Sequence, residues 1–399
     1  MKVCIIGLGY IGLPTALMMA AHGVEVEAVD YNKKIVSELQ QGHVTFEEDG
    51  LEELFKEACD KGIVFSNEYP KGNFYVIAVP TPYIEETKKV DASYIVKAVQ
   101  GVLEVCEEGA IIVVESTISP GTIDRDVRPI VEGHNVHLAH APERIIPGNM
   151  VYELEHNSRT IGADSVEVAE KIQQVYGSFC KGEIILTDIK TAEMTKVVEN
   201  TFRDINIAYA NELAQICREN DMNVYEVIRI ANKHPRVNIL QPGPGVGGHC
   251  ISVDPWFLVG DFPDLANLIY QARMVNSKMP EFVLKRIQGI MAENNIMELK
   301  KVGLYGLTYK ENVDDVRESP TLQLLDVIKE QQLESPAVYD PWVKGEIVDN
   351  QYSDFDIFLN DVEMVVVLVG HDHLKQNLSR LEDKVVLDTR NICTNVYKL

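Results

Sequence analysis

The sequence is poor in positive charge. Its 399 residues include 61 Asp and Glu but only 37 Lys and Arg, so the formal net charge at pH 7 is −24. A surface of that sign repels nucleic acids and anionic membranes, and we therefore expect neither as a partner. An anionic substrate would have to be bound by a local cluster of Lys and Arg side chains.

The sequence also lacks paired cysteines. Its seven cysteines are scattered and include no Cys-x-x-Cys pair, which argues against a disulfide framework and against a zinc site. No apolar run reaches the ~18 residues that a membrane-spanning helix needs. The first residues run directly into a predicted strand, which leaves no room for a signal peptide. We therefore expect a cytoplasmic protein that binds no metal.

Short apolar runs alternate with helical patterns in two parts of the chain, and this alternation indicates parallel sheets with helices on both faces. In the first part, strands are predicted at Val3–Ile6, Val24–Val29, Tyr75–Val79, Ala110–Val114 and Val136–Ala139, and helices at Leu13–Ala21, Lys33–Gln41 and Ala92–Val105. In the second part, strands are predicted at Val302–Gly306, Ala337–Tyr339, Met364–Val369 and Val385–Asp388, and helices at Thr321–Gln331 and Phe355–Val362.

Between these two parts the pattern is helical. Apolar residues that recur every three or four positions predict one long helix with an apolar stripe, formed by Met194, Val198, Phe202, Ile205, Tyr209, Leu213 and Ile216. A helix of this length usually spans domains or forms a subunit interface, so we expect a homodimer or a higher homo-oligomer. The predicted fold class is α/β, with two Rossmann-like doubly wound domains joined by a helical middle with a long central helix. The predicted domains are residues 1–185, 186–295 and 296–399.

A dinucleotide fingerprint opens the chain. Gly7, Gly9 and Gly12 lie where the first predicted strand turns into a helix, which is the context that the fingerprint requires. The first glycine permits the tight turn, the second lets the backbone approach a pyrophosphate, and the third lets helix and strand pack closely. Asp30 ends the next strand, where its carboxylate can accept from both ribose hydroxyls and would repel a 2′-phosphate. The fingerprint therefore favours NAD over NADP.

Polar residues follow three further strands of the first predicted sheet. Thr81 and Thr117 are placed to hydrogen-bond the nicotinamide half of the cofactor or a catalytic water, although Thr is also an ordinary turn residue. Glu143 and Arg144 follow a later strand, where they would form either a surface ion pair or part of a site. In a site, Glu143 is a candidate general base for hydrolysis.

The long helix carries polar residues on one face. Lys196, Asn200 and Arg203 are spaced i, i+4, i+7, so they lie roughly opposite the apolar stripe. One interpretation is a solvated polar face. The other is a site in which Lys196 acts at the reacting carbon and Asn200 binds the same hydroxyl or oxyanion.

The segment Gly247–Pro255 contains one cysteine, Cys250, in a glycine-rich loop, flanked by His249 and by Asp254. A hydride acceptor alone suits alcohol and ketone chemistry. A nucleophilic thiol in addition allows an aldehyde to be held as a thiohemiacetal and oxidised again to a thioester. The alternative interpretation is a cysteine buried as a small apolar residue. The pairing of thiol and fingerprint favours a four-electron dehydrogenase that converts an alcohol to a carboxylate.

Two more loops offer positive charge for an anionic ligand. Arg236 could hold a phosphate with a fork of donors. Lys310 and Arg317 lie between a strand of the second α/β series and its helix, although Ser319 is also an ordinary helix start. These loops are candidates for binding a nucleotide diphosphate or the cofactor.

With these residues considered together, the chain resembles the UDP-glucose and GDP-mannose dehydrogenases, a family of nucleotide-sugar 6-dehydrogenases, over nearly its whole length. The segments that carry the resemblance occur in family order: GLGYIG, EST-x-SPGT, APER, K-x-x-EN-x-x-R, GHC-x-x-VDP and YK-x-x-x-DD-x-RESP. The resemblance is strongest to the branch that oxidises UDP-N-acetyl-D-mannosamine. UDP-N-acetylglucosamine and UDP-glucose are the alternative substrates.

The resemblance implies a role for each matching position. The implied catalytic residues are Cys250 as nucleophile, Lys196 as proton donor or acceptor, Asn200 and Asp254 as supports for oxyanion and water, and Glu143 as a base. The implied NAD site is formed by Gly7, Gly9, Tyr10, Ile11, Gly12, Asp30, Thr81, Thr117 and Arg317. The implied UDP-sugar site is formed by Arg144, Ile145, Lys196, Asn200, Arg203, His234, Arg236, Gly247, Tyr309 and Lys310.

Two other functions remain open at this point. A two-electron dehydrogenase of the β-hydroxyacid or 6-phosphogluconate type would share the amino-terminal organisation, would not need Cys250, and would release one NADH for each substrate. The other is a catalytically silent NAD-binding protein with a regulatory or scaffolding role. Intact Lys196, Cys250 and Asp254 argue against the silent protein.

Overall fold

The computed structural model describes residues 2–248 and 250–399. His249, which the sequence places beside Cys250, lies outside the described residues. The chain divides into two compact units: the first is Met1–Glu199 with Trp256–Asp261, and the second is Asn200–Pro255 with Phe262–Leu399. The predicted division into three domains remains a prediction.

The first unit is built on one sheet. Its strands are β1 (Lys2–Ile6), β2 (Glu25–Val29), β3 (Val64–Ser66), β4 (Phe74–Ile77), β5 (Ala110–Val114), β6 (Val136–His140), β7 (Arg159–Ala163) and β8 (Ile184–Thr187). They lie in the order β3-β2-β1-β4-β5-β6-β7-β8, and neighbours are parallel except for β6 and β7, which are antiparallel. Because the order reverses between β1 and β4, a crevice opens at the carboxyl ends of these strands, where doubly wound sheets bind ligands.

The helices of the first unit cover both faces of that sheet, which is why its central strands are continuous apolar runs rather than alternating ones. Strand β5, with the sequence AIIVV, is buried at every position. The helices are α1 (Gly12–Ala21), α2 (Lys33–Gln40), α3 (Leu51–Asp60), α4 (Ser93–Leu103), α5 (Arg128–Val131), α6 (Met150–His156) and α7 (Val166–Tyr176), with a π-helix at Ile123–Val127.

The second unit contains another parallel sheet with the same kind of order. Its strands are β9 (Val302–Tyr305), β10 (Ala337–Tyr339), β11 (Gln351–Tyr352), β12 (Met364–Val367), β13 (Val385–Asp388) and β14 (Tyr397–Lys398), in the order β11-β10-β9-β12-β13-β14. Its helices are α9 (Val224–Ala231), α11 (Asn267–Ser277), α12 (Met279–Glu293), α13 (Pro320–Glu330), α14 (Phe355–Asp361) and α15 (Asp372–Lys375). Helices α12 and α13 pack together around a core that includes Val283 and Leu324.

The two sheets begin with the same local construction. A glycine with positive φ ends the first strand of each, Gly7 at 94° and Gly306 at 100°. The backbone N–H of the next residue donates to a carboxylate at the end of the second strand, Asp30 at 2.8 Å and Asp340 at 2.6 Å. The second turn lacks the other two glycines of the fingerprint, so the sequence distinguishes the dinucleotide turn from its counterpart.

The fold class agrees with the sequence prediction. Each predicted strand overlaps an observed one and differs from it by at most two residues at either end, because long apolar runs mark buried parallel strands clearly. Strands β3, β7, β8, β11 and β14 were not predicted; β3, β11 and β14 are short and β8 is partly exposed, whereas β7 is buried at every position. Among the described residues, no helix is both long and apolar enough to cross a membrane.

Two helices contain residues of both units: α8 (Ile189–Glu219) and α10 (Asp254–Asp261). Helix α8 is the predicted long helix, and its amphipathic pattern is inverted. Most of the apolar stripe is exposed, with Phe202 at 67% and Tyr209 at 54%, while Ile205 and Leu213 are half-buried. Lys196 and Asn200 are buried, each 7% exposed, so the interpretation of a solvated polar face is wrong for both; Arg203 is exposed.

Candidate active site

The glycine turn after β1 leaves part of its own backbone uncovered, so a ligand can approach it. A Cβ atom at Gly7 would lie 2.6 Å from the Ala78 carbonyl oxygen, and one at Gly12 would lie 1.9 Å from the Gly7 carbonyl oxygen. A Cβ at Gly9 would meet nothing within 4 Å. Two of the glycines are therefore required by the fold, and the third faces open space where a pyrophosphate could approach the helix N-terminus.

Asp30 braces that turn. Its Oδ2 accepts from the Leu8 N–H at 2.8 Å, and its Oδ1 accepts from the Asn32 N–H at 2.8 Å. The carboxylate is 7% exposed. Because each carboxylate oxygen has a second lone pair, these bonds leave acceptor capacity for ribose hydroxyls. Near the turn, the Tyr10 ring packs against Phe46 with 4.4 Å between ring centroids, and Ile11 is the last residue before α1.

The predicted threonines lie together at the carboxyl ends of β4 and β5. The Thr81 hydroxyl donates to the Thr117 carbonyl oxygen at 2.7 Å, and the Ser116 hydroxyl donates to the Val79 carbonyl oxygen at 2.6 Å. Since the Thr81 proton is committed to Thr117, the Thr81 oxygen faces any ligand as an acceptor.

The segment after Thr117 is anchored by a residue that the sequence reasoning missed. Glu193 on α8 is fully buried, and its carboxylate accepts from the backbone N–H groups of Gly121 and Ile123, the latter at 2.9 Å. Burial raises the pKa of Glu193. Its position three residues before Lys196, on the same helical face, was the available signal.

Glu143 belongs to a buried ion cluster rather than to a surface pair with its neighbour. Its Oε2 is paired with Arg159, and Arg159 also donates to Glu115 Oε1 at 3.0 Å. The Tyr176 hydroxyl donates to the same Glu115 oxygen at 3.1 Å, and its ring packs against the guanidinium at 4.3 Å. Burial raises the pKa of Glu115 to about 7. One cation, Arg159, thus faces two buried carboxylates.

Arg144 and Ile145 have other partners inside the first unit. The Arg144 guanidinium donates to the Ser158 hydroxyl at 2.9 Å and to the Thr160 hydroxyl at 3.1 Å, and pairs with Glu199 at 2.7 Å. Ile145 is 8% exposed and packs in the core. A ligand would therefore reach Ile145 through its backbone rather than through its side chain.

In the second unit, Asn200 and Asp254 form a buried pair. The Asn200 Nδ2 donates to Asp254 Oδ2 at 2.6 Å, and the two residues are 7% and 3% exposed. Because the Asp254 carboxylate accepts from Nδ2, the Asn200 amide has a fixed orientation, with its oxygen directed away from Asp254. The pair can position a water or a hydroxyl group and can accept its proton.

Cys250 lies one helical turn before Asp254. Its carbonyl oxygen accepts from the N–H of Val253 at 3.1 Å and of Asp254 at 2.8 Å. Because this turn fixes the backbone, the thiol and the carboxylate are carried by one short rigid segment. Cys250 is exposed, so the interpretation of a cysteine buried as a small apolar residue is wrong.

The loop that precedes Cys250 packs against the loop after β9. The Gly248 N–H donates to the Arg317 carbonyl oxygen at 3.0 Å. A Cβ atom at Gly247 would lie 2.5 Å from the Glu318 carbonyl oxygen and 2.8 Å from Tyr309 Cβ, so only glycine fits there. The Arg317 guanidinium donates to Asp315, at 2.6 Å for the shortest bond. The structure therefore brings Gly247, Tyr309 and Arg317 together with the cysteine loop.

The remaining predicted residues lie at the surface of the second unit. His234 and Arg236 are both exposed, and the Arg236 N–H lies 3.3 Å from His234 Nδ1. Arg203 is exposed, and Lys310 is half-buried beside Tyr309. Among the described residues, no cluster of His, Cys, Asp and Glu is arranged to hold a metal ion.

One family matches the chain in three consecutive parts. Residues 1–180 match the NAD binding domain of the UDP-glucose/GDP-mannose dehydrogenase family, residues 190–278 match its central domain, and residues 303–395 match its UDP binding domain. The fingerprint turn, the Cys250 loop and the Tyr309–Arg317 loop fall in the first, second and third match, respectively.

Individual relatives are similar over the whole length. A UDP-N-acetyl-D-mannosamine dehydrogenase of Methanococcus vannielii is 43% identical, over 100% of this chain and 94% of that protein. The structure of the UDP-N-acetyl-mannosamine dehydrogenase of Staphylococcus aureus has a TM-score of 0.89 at 39% identity and covers 100% and 98% of the two chains. The corresponding enzyme structure from Pyrococcus horikoshii has a TM-score of 0.91 at 35% identity, with coverage of 100% and 97%.

Proposed function

Because the chain belongs to the UDP-glucose/GDP-mannose dehydrogenase family, we propose that it oxidises the C6 alcohol of UDP-N-acetyl-D-mannosamine to the carboxylate of UDP-N-acetyl-D-mannosaminuronate. NAD is the cofactor, as the sequence predicted, and a UDP-sugar is the substrate class. The choice of sugar rests on the relatives named above. The observation that carries the chemistry is an exposed Cys250, one turn from the buried Asn200–Asp254 pair.

The first unit fits NAD. The open backbone at Gly9 suits a pyrophosphate at the start of α1, and Asp30 presents carboxylate oxygens at the end of β2. The acceptor oxygen of Thr81 lies at the carboxyl edge of the same sheet, beyond β4. When bound, NAD supplies the hydride acceptor for each of the two oxidations.

In the first oxidation, C6 loses a hydride and its hydroxyl loses a proton. The base is either Lys196 directly or a water held by Asp254. Asn200 donates to the oxygen on which charge develops, an orientation that the Asp254 bond fixes in advance.

In the second oxidation, the aldehyde is held on the protein. The Cys250 thiolate adds to the aldehyde carbon to form a thiohemiacetal, and Lys196 supplies a proton to the new alkoxide. Loss of a second hydride from C6, with loss of the hydroxyl proton, gives a thioester. The covalent bond keeps the aldehyde from diffusing away between the two oxidations.

Hydrolysis completes the reaction. Water attacks the thioester carbonyl carbon and gives its proton to Glu143 or Asp254. The carbon–sulfur bond then breaks, so the thiolate returns to Cys250 and the carboxylate product is released. Glu143 is buried and paired with Arg159, and its carboxylate oxygens are the kind of group that can accept this proton.

The exposed apolar stripe of α8 supports a homodimer or a higher homo-oligomer. Phe202, Tyr209 and Ile216 are spaced by seven residues, so they share one face of the helix, and they are 67%, 54% and 48% exposed. An aligned stripe of large apolar side chains on a 31-residue helix is typical of a subunit interface. Because the proposed nucleophile must stay a reduced thiol, we place the enzyme in the cytoplasm.

The test is the number of NADH molecules released for each substrate molecule, measured with UDP-N-acetyl-D-mannosamine, UDP-N-acetylglucosamine, UDP-glucose and GDP-mannose. We expect two NADH and the highest kcat/KM for the first of these. One NADH per substrate would instead identify a two-electron dehydrogenase, and no turnover of any sugar would identify a silent NAD-binding protein. A higher kcat/KM for another sugar would overturn the choice of substrate.

A further inference from the structure

A buried histidine stands behind the loop that carries Tyr309 and Lys310. His371 follows β12 and is fully buried. Its Nδ1 lies 3.0 Å from the backbone N–H of Asn312, and its Nε2 lies 3.2 Å from Asp340 Oδ2. These groups belong to three separate segments of the second unit, which the ring joins.

The partners of His371 determine its tautomer. A backbone N–H can only donate, so Nδ1 is the acceptor and the ring proton lies on Nε2, directed at the Asp340 carboxylate. The same carboxylate oxygen accepts from the backbone N–H groups of Leu307 at 2.6 Å and Thr308 at 3.2 Å. The histidine therefore links the base of the loop to Asn312, its far end.

Asn312 is held by two further bonds. Its Nδ2 donates to Asp372 Oδ2 at 2.9 Å, and its Oδ1 accepts from the Asp372 N–H at 3.0 Å. Its backbone has a φ of 59°, in the left-handed region that Asn tolerates better than most residues. At the other end of the loop, the Thr308 hydroxyl donates to the Lys310 carbonyl oxygen at 2.8 Å. Hydrogen bonds thus hold the segment Thr308–Asn312 at both ends, and Tyr309 and Lys310 lie between them.

We propose that His371 is a positioning residue for the UDP-sugar, which fixes the Thr308–Asn312 segment so that Tyr309 and Lys310 meet the nucleotide diphosphate in a set geometry. This inference rests on the proposed function in assigning the substrate to that segment. His371 is fully buried and acts through Asn312, so it does not itself touch the ligand.

Two substitutions separate the two nitrogens of the ring. His371→Asn places an amide oxygen near the position of Nδ1, where it can still accept from Asn312. His371→Gln places an amide nitrogen near the position of Nε2, where it can still donate to Asp340, but leaves the Asn312 N–H without its acceptor. A buried N–H left without a partner weakens the arrangement that depends on it by roughly tenfold or more.

The measurement is the Kd for UDP by calorimetry, together with kcat and KM for the UDP-sugar. We expect the Asn variant to stay within about threefold of the wild type and the Gln variant to bind UDP about tenfold more weakly. KM should rise in parallel while kcat and the Kd for NAD stay within about twofold. His373→Asn is the matched control, because His373 bonds to the Tyr305 hydroxyl rather than to the segment.

A second variant covers the case in which the Gln variant fails to fold. Asp372→Ala, at an exposed position, removes the side-chain acceptor of Asn312 Nδ2 and keeps the backbone bond to Asn312 Oδ1. It should weaken UDP binding about threefold to fivefold. Equal losses in the Asn and Gln variants would overturn the proposal, because the ring would then serve packing alone. Wild-type UDP affinity in both the Gln and Asp372→Ala variants would overturn it as well. If the wild-type chain itself failed to bind UDP, the proposed function would fail instead.

Discussion

Replacing Asp254 by Asn tests whether the buried pair with Asn200 takes part in the chemistry. The substitution keeps the shape of the side chain and removes its charge and its ability to accept a proton. A hydrogen bond to a charged group contributes about 1.5–3 kcal/mol, against about 0.5–1.5 kcal/mol for a neutral one. Loss of about 1 kcal/mol in the orientation of Asn200 corresponds to about fivefold in rate.

Loss of the proton acceptor adds a larger effect. General base catalysis contributes about 10²–10⁴-fold, so we expect kcat for NADH formation in Asp254→Asn to fall by at least about 100-fold. KM should change little. In a double-mutant cycle, Asn200→Ala should cost about 1 kcal/mol less in the Asp254→Asn background than in the wild type, because the bond between the two side chains is already weakened.

The control for this prediction lies on the same helix. Asp261, the last residue of α10, has a side chain that is 8% exposed and is paired at 3.7 Å with Lys89 and at 3.6 Å with Arg125. Asp261→Asn makes the same change of charge outside the proposed site and should leave kcat within about twofold. A kcat for Asp254→Asn within threefold of the wild type, or additive effects in the cycle, would refute the reasoning.

Three further predictions concern stability and assembly. Burial lowers the pKa of His140 to about 3, although its Nδ1 bonds to the Val114 carbonyl. The folded protein therefore loses stability as the pH falls below 6.5, the ordinary pKa of His, and the loss is about 2 kcal/mol at pH 5. Urea unfolding of His140→Asn should be correspondingly less sensitive between pH 7.5 and 5, and an unchanged pH dependence would contradict this. The raised pKa of Glu115, about 7, has the opposite sign: stability is lost as pH rises from about 4.5 through 7. Glu115→Gln should flatten that slope in the same assay, and an equal slope would exclude Glu115 as its source. Phe202→Glu with Tyr209→Glu should dissociate the oligomer in sedimentation velocity, whereas an unchanged sedimentation coefficient would place the interface elsewhere.

The two sheets could be predicted from the sequence because their central strands are uninterrupted apolar runs. A run such as AIIVV is favourable only as a strand that is buried on both faces of a sheet. The glycine turn could also be predicted, because a Cβ atom at Gly7 or Gly12 would clash and the sequence therefore has glycine at both positions. Strands such as β8, of intermediate exposure over most of its length, show no such pattern.

Long-range partners could not be predicted from one sequence. Glu143 was expected either to form a surface ion pair with its neighbour or to act as a base in a site, and its pairing with Arg159, sixteen positions away, could not be predicted. The buried face of α8 could not be predicted either, because helical periodicity identifies two faces of a helix but not which of them is buried. Phe202 lies outside and Asn200 inside, the reverse of an ordinary amphipathic helix.

The central claim is that the Cys250 sulfur becomes covalently bound to C6 of the sugar. The most direct measurement is mass spectrometry of peptides from enzyme quenched during turnover, with Cys250→Ala as the comparison. We predict a sugar-nucleotide adduct on the Cys250 peptide of the wild type, and no carboxylate product from the Ala variant. Carboxylate formation by Cys250→Ala at the wild-type rate would contradict covalent catalysis.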